Sequence, residues 1–344
     1  MSAAAGSMPD PSAIEEFAGD PRTLDLATLV ARDRPLLIRG LVREWPLVRH
    51  ARESASAFAK ALAAMDSGVD VDTLRLPPEA DGHIGYSPAM DGFNYRHFRV
   101  PLTQGLQRLA GYSQVEKPPG LAIQSAAIDH CIPVFRQEHA LNLLGGFVQP
   151  RLWVGNRVTT PTHFDAQHNI ACVVCGRRRF TLFPPEQLPN LYIGPLDYAP
   201  TGAAISMARL DQADDPRFPR LRTALAAAQT ATLEPGDAIY MPPLWWHNVA
   251  SLEQLNALVN YWWPSLSGAG CDPGDSLDAL FHCLLAFREL PAAERAHWRD
   301  LLGHYVFGEG DPVAHVPEHR RGVLGKPLTP EQLTWLRKAA GRHL

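Results

Sequence analysis

The stretch THFDAQHNIACVVC, residues 162–175, decides how this chain is read. It is rich in β-branched and apolar residues and stops at Gly176. RRFTLFPP (178–185) follows at once. An apolar run, a glycine and a second apolar run ending in prolines predict a strand and its hairpin return. Outward from there the pattern repeats. RLWVGN (151–156) lies upstream. Downstream, ATL and AIYMP flank the turn EPGD within 231–242, and HNVASL (247–252) and NALVNYWW (256–263) follow. Strands this short, with turn signals this frequent, predict an antiparallel sandwich or barrel.

Both flanks turn helical. Leu24 to Arg32, Ser56 to Met65 and PLTQGLQRLAGY (101–112) predict helices, the last with Pro101 at its first position. PLLIRGLV (35–42) predicts one more strand, and HIGYSPAMDGFNYRHF (83–98) an aromatic loop or edge strand. After Gly268 the period becomes helical. Leu277, Leu280, Phe281, Leu284 and Leu285 form one amphipathic stripe, a further helix begins near Pro291, and Thr329-Pro330-Glu331-Gln332 predicts a capped helix start. The expected organisation is a loose arm (1–20), an α+β wrap (21–140), the β barrel (141–267) and a helical region (268–344).

Composition narrows the function classes. The 344 residues carry 32 Lys and Arg against 36 Asp and Glu, a net charge of −4, with 46% hydrophobic residues. That balance excludes a mostly disordered chain and offers no broad basic surface for nucleic acid. The 31 prolines suit many turns. The first residues, MSAAAGSMPDPSAIEE, lack a basic and an apolar signal region, and no apolar run reaches the length of a membrane span. Five cysteines, sparsely spaced, fit reduced thiols, so a cytoplasmic location is expected. Cys172 and Cys175, three apart on a strand, are expected on opposite faces.

Chemistry concentrates on His163, Asp165 and His247. On a strand, residues two apart share a face, so His163 and Asp165 can aim at one metal ion. Two histidines and one carboxylate make a facial set suited to Fe(II), leaving three octahedral positions for ligands. Arg178 shares parity with Phe180 and Leu182. An inward guanidinium calls for an anion, and a carboxylate meets it bidentately. Thr160 would add a hydroxyl to that anion site, while Arg177 and Arg179 read as a solvated turn. Asn169 and Asn260 sit in apolar strands and either face a polar pocket or bond to nearby backbone. Trp262, in phase with Asn260, either walls that pocket or packs in the core.

Taken together, TPTHFDAQHNI, GRRRFTLFPP, LEPGDAIYMPPLWWH and NYWW resemble the JmjC/cupin-like (cupin-8) family, in the branch of the factor-inhibiting-HIF asparaginyl hydroxylase. The resemblance is strongest over 150–265. PLLIRGLVREWPLV (35–48) is similar to the opening segment of bacterial members. The resemblance implies a double-stranded β-helix, Fe(II) held by His163, Asp165 and His247, and 2-oxoglutarate as co-substrate. Thr160 and Arg178 would grip its distal carboxylate, with Asn169, Asn260 and Trp262 beside it. Arg178 stands where the asparaginyl hydroxylase has a lysine, and Ala122, in GLAIQS (120–125), where a co-substrate tyrosine is expected. The implied activity is hydroxylation of a protein side chain or a small molecule, in a homodimer built on the C-terminal helices. The alternative is a metal-binding cupin that binds a ligand without turnover. An isomerase of the wider cupin class ranks last, because those usually show H-x-H.

Overall fold

The structure, a computed structural model, describes residues 11–200, 202–264 and 273–341. The chain forms two compact units that part after Trp263. Thirteen strands among the described residues belong to the first. They are β1 (Ser12–Ala13), β2 (Leu36–Ile38), β3 (Asp70–Leu76), β4 (Arg96–Pro101), β5 (Gly120–Ala127), β6 (Pro150–Gly155), β7 (Thr159–His163), β8 (His168–Cys175), β9 (Arg178–Phe183), β10 (Gln229–Leu233), β11 (Ala238–Met241), β12 (Trp246–Ser251) and β13 (Asn256–Trp263).

From β6 onward, successive strands alternate between two sheets, except that β9 and β10 pair within one. One orders as β1-β10-β9-β12-β7 and the other as β2-β11-β8-β13-β6-β5-β3-β4. This is a jelly roll, the mainly β architecture with flanking helices expected from the sequence. The alternation corrects two expectations. Residues 162–175 are not one strand: the segment breaks at Phe164–Gln167, so β7 and β8 lie in different sheets. Residues 178–185 are not a hairpin return either, since β9 pairs with β10 and β12 and β8 pairs with β11 and β13. Gly176, at φ +67°, makes the crossing, and a Cβ there would stand 2.5 Å from the Leu255 carbonyl oxygen.

Period-2 alternation divides the side chains into two cores. Ala171, Val173, Phe180, Leu182, Ile239, Met241, Val249 and Leu258 fill the space between the sheets. Their neighbours Ile170, Cys172, Val174, Tyr240, Val259 and Trp263 face outward, where helices Pro46–Glu53, Ala55–Ala64 and Leu102–Tyr112 cover them. Pro101 caps that last helix and does not begin it. Cys175 joins Cys172 in this outer core, against the expectation of opposite faces, because the β8–β13 register shifts beside Ala257 and Leu258.

The arm expected over 1–20 falls partly outside the described residues. From Ser12 it is fixed: β1 runs parallel to β10 and Ile14 is buried between the sheets. The EPGD turn anchors the next segment. Asp237 accepts from the Gly40 backbone at 3.0 Å and from Arg39 Nη1 at 2.7 Å.

The second unit carries helices Pro273–Phe287, Ala292–Leu302 and Pro330–Ala340, the last closed by the expected Thr329–Gln332 capping box. Among the described residues, no helix is long and apolar enough to cross a membrane.

Candidate metal and co-substrate site

His163 ends β7, Asp165 lies in the turn after it, and His247 sits on β12 directly opposite His163. The pairing juxtaposes the imidazoles at 4.2 Å between ring centroids. Asp165 is therefore aimed by a turn and not by strand parity, which corrects the two-apart argument. Its Oδ2 lies 3.6 Å from His247 Nε2. One ligand atom from each of the three side chains lies within 4.8 Å of the other two, a set that could hold a metal ion.

Backbone carbonyls prepare both imidazoles. His163 Nδ1 lies 2.8 Å from the Pro161 carbonyl oxygen and His247 Nδ1 lies 3.0 Å from that of Trp245. A carbonyl only accepts, so each Nδ1 carries the proton and each Nε2 keeps its lone pair for a metal. Burial, with His163 alongside, pushes His247 well below the ordinary histidine range and keeps it neutral. Burial works in the opposite sense on Asp165. The facing imidazoles and two donated hydrogen bonds outweigh it and hold the carboxyl below its usual range. Two imidazoles that present Nε2 and an ionised carboxylate fit a divalent first-row ion such as Fe(II).

Those donors end a directed chain. Trp153 Nε1 donates to Asn260 Oδ1 at 2.8 Å, Asn260 Nδ2 to Asn169 Oδ1 at 3.4 Å, and Asn169 Nδ2 to Asp165 Oδ2 at 2.9 Å. Trp262 Nε1 donates to the same oxygen at 2.9 Å. An indole only donates and a carboxylate only accepts, so both ends fix the amide orientations between them. Asn169, Asn260 and Trp262 thus face the pocket, as one of the two sequence readings had it. Their hydrogen bonds are spent on aiming Asp165.

The triad opens into a cavity of about 160 Å³. Thr160 and Arg178 line it with Asn169, Asn260 and Trp262. Thr160 stands three residues before His163, a spacing that should put it on the opposite face. The register slips, however: His247 pairs with His163 and Val249 with Thr160, so β7 spends one extra residue. That bulge turns Thr160 into the cavity. Arg178 points inward with Phe180, as its parity predicts. Its Nη2 donates to the Trp153 carbonyl at 3.3 Å, and its buried Nε has no partner. Burial pushes this guanidinium down to about 10, so it stays charged at neutral pH. A buried cation with an orphaned donor fits an anionic ligand.

Ala122 packs away from the cavity with Leu74, Leu76, Ile84 and Val158. Sequence reasoning missed Gln124, Ser125, Trp153 and Ala203, which also line it. The polar pair in GLAIQS was a usable signal; Ala203 carried none. Arg177 is exposed and pairs with Glu253 at 2.7 Å.

Parts of this chain are similar to several known proteins. Over 105 residues the chain is 38% identical to the lysine-specific demethylase JMJ31 of Arabidopsis thaliana, covering 30% of this chain and 18% of that protein. Over 161 residues it is 30% identical to Jumonji C domain-containing protein 5 of Drosophila melanogaster, covering 46% and 37%. Over 147 residues it is 32% identical to human HSPB1-associated protein 1, covering 42% and 30%. The matched segments thus span well under half of each relative's length. The Cupin-like domain family matches residues 21–268, which includes every strand from β2 to β13. With the jelly roll and the His-Asp-His set inside that span, the chain belongs to the Cupin-like domain family.

Proposed function

We propose that this chain is an Fe(II)- and 2-oxoglutarate-dependent dioxygenase that hydroxylates a protein side chain or a small molecule. The observation that carries this reading is the shared cavity: a His-Asp-His set that could hold a metal at one end and, at the other, a buried Arg178 whose Nε has no partner. His163, Asp165 and His247 would hold the metal. When bound, Fe(II) supplies the redox chemistry by which 2-oxoglutarate and O₂ become succinate and CO₂ while one oxygen atom enters a substrate C–H bond.

The chain's own residues orient and exclude. Arg178 and the Thr160 hydroxyl receive the distal carboxylate. Asn169 and Trp262 hold Asp165 in one rotamer, and Phe180, Met241, Val249 and Leu258 keep the inner wall dry. The test is anaerobic addition of Fe(II) and 2-oxoglutarate. A weak visible charge-transfer band is expected, with slow succinate formation once air is admitted. Ala122, which offers no third grip on the carboxylate, favours one second reading: a metal-binding cupin without turnover. Iron bound at full occupancy with no succinate formed would select it.

A further inference from the structure

At the far end of the eight-stranded sheet, β4 pairs with β3, and no strand pairs with its other edge among the described residues. An open edge offers a row of unpaired backbone donors and acceptors to any extended chain. Arginines gather beside it. Arg75 on β3 stands directly opposite Arg96 on β4, and Phe98 shares the face of Arg96. Helix Leu102–Tyr112 flanks that face and adds Arg108, whose guanidinium lies 4.8 Å over the Phe98 ring. Arg75 Nε donates to the Tyr112 hydroxyl at 3.2 Å, and Arg108 Nη2 donates to Gln104 Oε1 at 3.2 Å. Arg96 is exposed and has neither a hydrogen bond nor an ion pair from its side chain among the described residues. Two guanidiniums are thus held in place by neutral partners, and none of the three meets a carboxylate. The acids of β3 lie on its opposite face, where Asp72 takes up His97 at 3.0 Å and Arg99 at 3.6 Å.

We propose that this edge is a docking surface for an extended acidic segment of a partner protein, which adds to the sheet as a strand beside β4. In such strand addition the backbone pairing supplies affinity and the side chains select the partner. Every second residue of the added strand shares the face of Arg96 and Phe98. A carboxylate there can meet a guanidinium bidentately. Charge on an edge strand also serves to keep other strands away, but that use asks for charge on β4 alone. It does not account for Arg75, on the strand behind the edge. Like charges placed directly opposite one another are destabilising, and nothing among the described residues offsets this pair. An acidic strand does. A second copy of the chain is the wrong occupant, since pairing β4 with β4 gathers Arg96, His97 and Arg99 of both copies. The surface also lies apart from the metal cavity: β3 separates β4 from β5, the strand whose Gln124 and Ser125 line that cavity.

The test titrates the full chain against labelled probes and reads fluorescence anisotropy. The probes are Glu-Val-Glu-Val-Glu-Val-Glu, the same peptide with prolines in place of its valines, the lysine counterpart Lys-Val-Lys-Val-Lys-Val-Lys, and a uridine oligonucleotide. The glutamate–valine peptide should bind with a Kd below about 1 mM. The proline peptide keeps the charge and cannot pair as a strand, so it should bind about tenfold more weakly. Arg96→Glu should weaken the glutamate–valine peptide about tenfold and strengthen the lysine peptide, an inversion that a local loss of structure does not produce. Arg75→Gln and Arg108→Gln should each weaken the acidic peptide, with unchanged far-UV circular dichroism and unchanged iron retention. No binding of the glutamate–valine peptide at about 1 mM, equal binding of the proline peptide, tighter binding of the oligonucleotide, or an unaltered preference in Arg96→Glu overturns the proposal.

Discussion

Asn169 and Asp165, four residues apart in the chain, are joined by a 2.9 Å amide-to-carboxylate hydrogen bond across the turn between β7 and β8. The bond links the first inward residue of one sheet to a candidate metal ligand that belongs to neither sheet. Asp165 keeps its aim because Asn169 is itself held by Asn260, and Asn260 by Trp153. Outer-shell donors of this kind tune metal affinity. Asn169→Ala should weaken Fe(II) or Co(II) binding by about 10- to 100-fold. Asn260→Ala, one step further out, should cost less. Competition against a coloured chelator measures both.

Removing a ligand should do more than loosening one. His163→Ala and Asp165→Ala each leave two of the three side chains that could hold the ion. Metal retained after desalting, read by elemental analysis, should fall from near one ion per chain to background in both. Stoichiometric metal in either variant would discard the triad.

Arg178 is expected to trade stability for function. Its guanidinium is buried, its Nε unpartnered, and no carboxylate neutralises it among the described residues. Replacing a buried charge with an apolar side chain of similar size is often neutral or stabilising. Arg178→Met should therefore match or exceed the native Tm without ligand. Losing a charge-assisted carboxylate contact should weaken 2-oxoglutarate about 10- to 100-fold. Thermal melts with and without 2-oxoglutarate read both effects, and a lower apo Tm with unchanged ligand shift would contradict them.

His139 sets a pH dependence away from the site. It is buried, accepts from the Leu47 backbone N–H at Nε2 (3.2 Å) and donates from Nδ1 to the Phe135 carbonyl (2.9 Å). Burial holds its folded value below the ordinary 6.5. As pH falls through 6.5 the unfolded chain takes up a proton that the folded chain refuses, so stability is lost as pH falls through this window. The loss ends below the folded value, where both states are protonated. Its slope for one group is at most about 1.4 kcal/mol per pH unit. Urea unfolding between pH 7 and pH 5 should show a flatter dependence in His139→Gln than in the native chain.

The C-terminal helices carry the remaining expectation. Leu277, Leu280, Phe281, Leu284 and Leu285 are exposed on Pro273–Phe287, as are Trp298 and Leu301 on Ala292–Leu302. We propose that a second copy of the chain covers this stripe. Sedimentation should give a dimer for the native protein and a monomer for Leu280→Arg/Leu284→Arg, with unchanged far-UV circular dichroism. A native monomer at all concentrations would rule this out.

The amino-acid sequence by itself determined the class of fold, the three side chains of the candidate metal set and the inward Arg178. Each rests on local rules: turn residues bound strands, period 2 divides faces, and His with Asp suits a hard-to-borderline ion. What it could not carry was register. Residues 162–175 read as one strand because nothing in the local pattern says that a chain leaves one sheet for another at Phe164. Thr160 should have faced away from His163, and Gln124 and Ser125 should have faced opposite sides. Two bulges reversed both. A bulge is settled by how two distant strands pair, so it exists only once β12 meets β7 and β6 meets β5. That pairing placed the residues of this cavity that the spacing alone would have sent elsewhere.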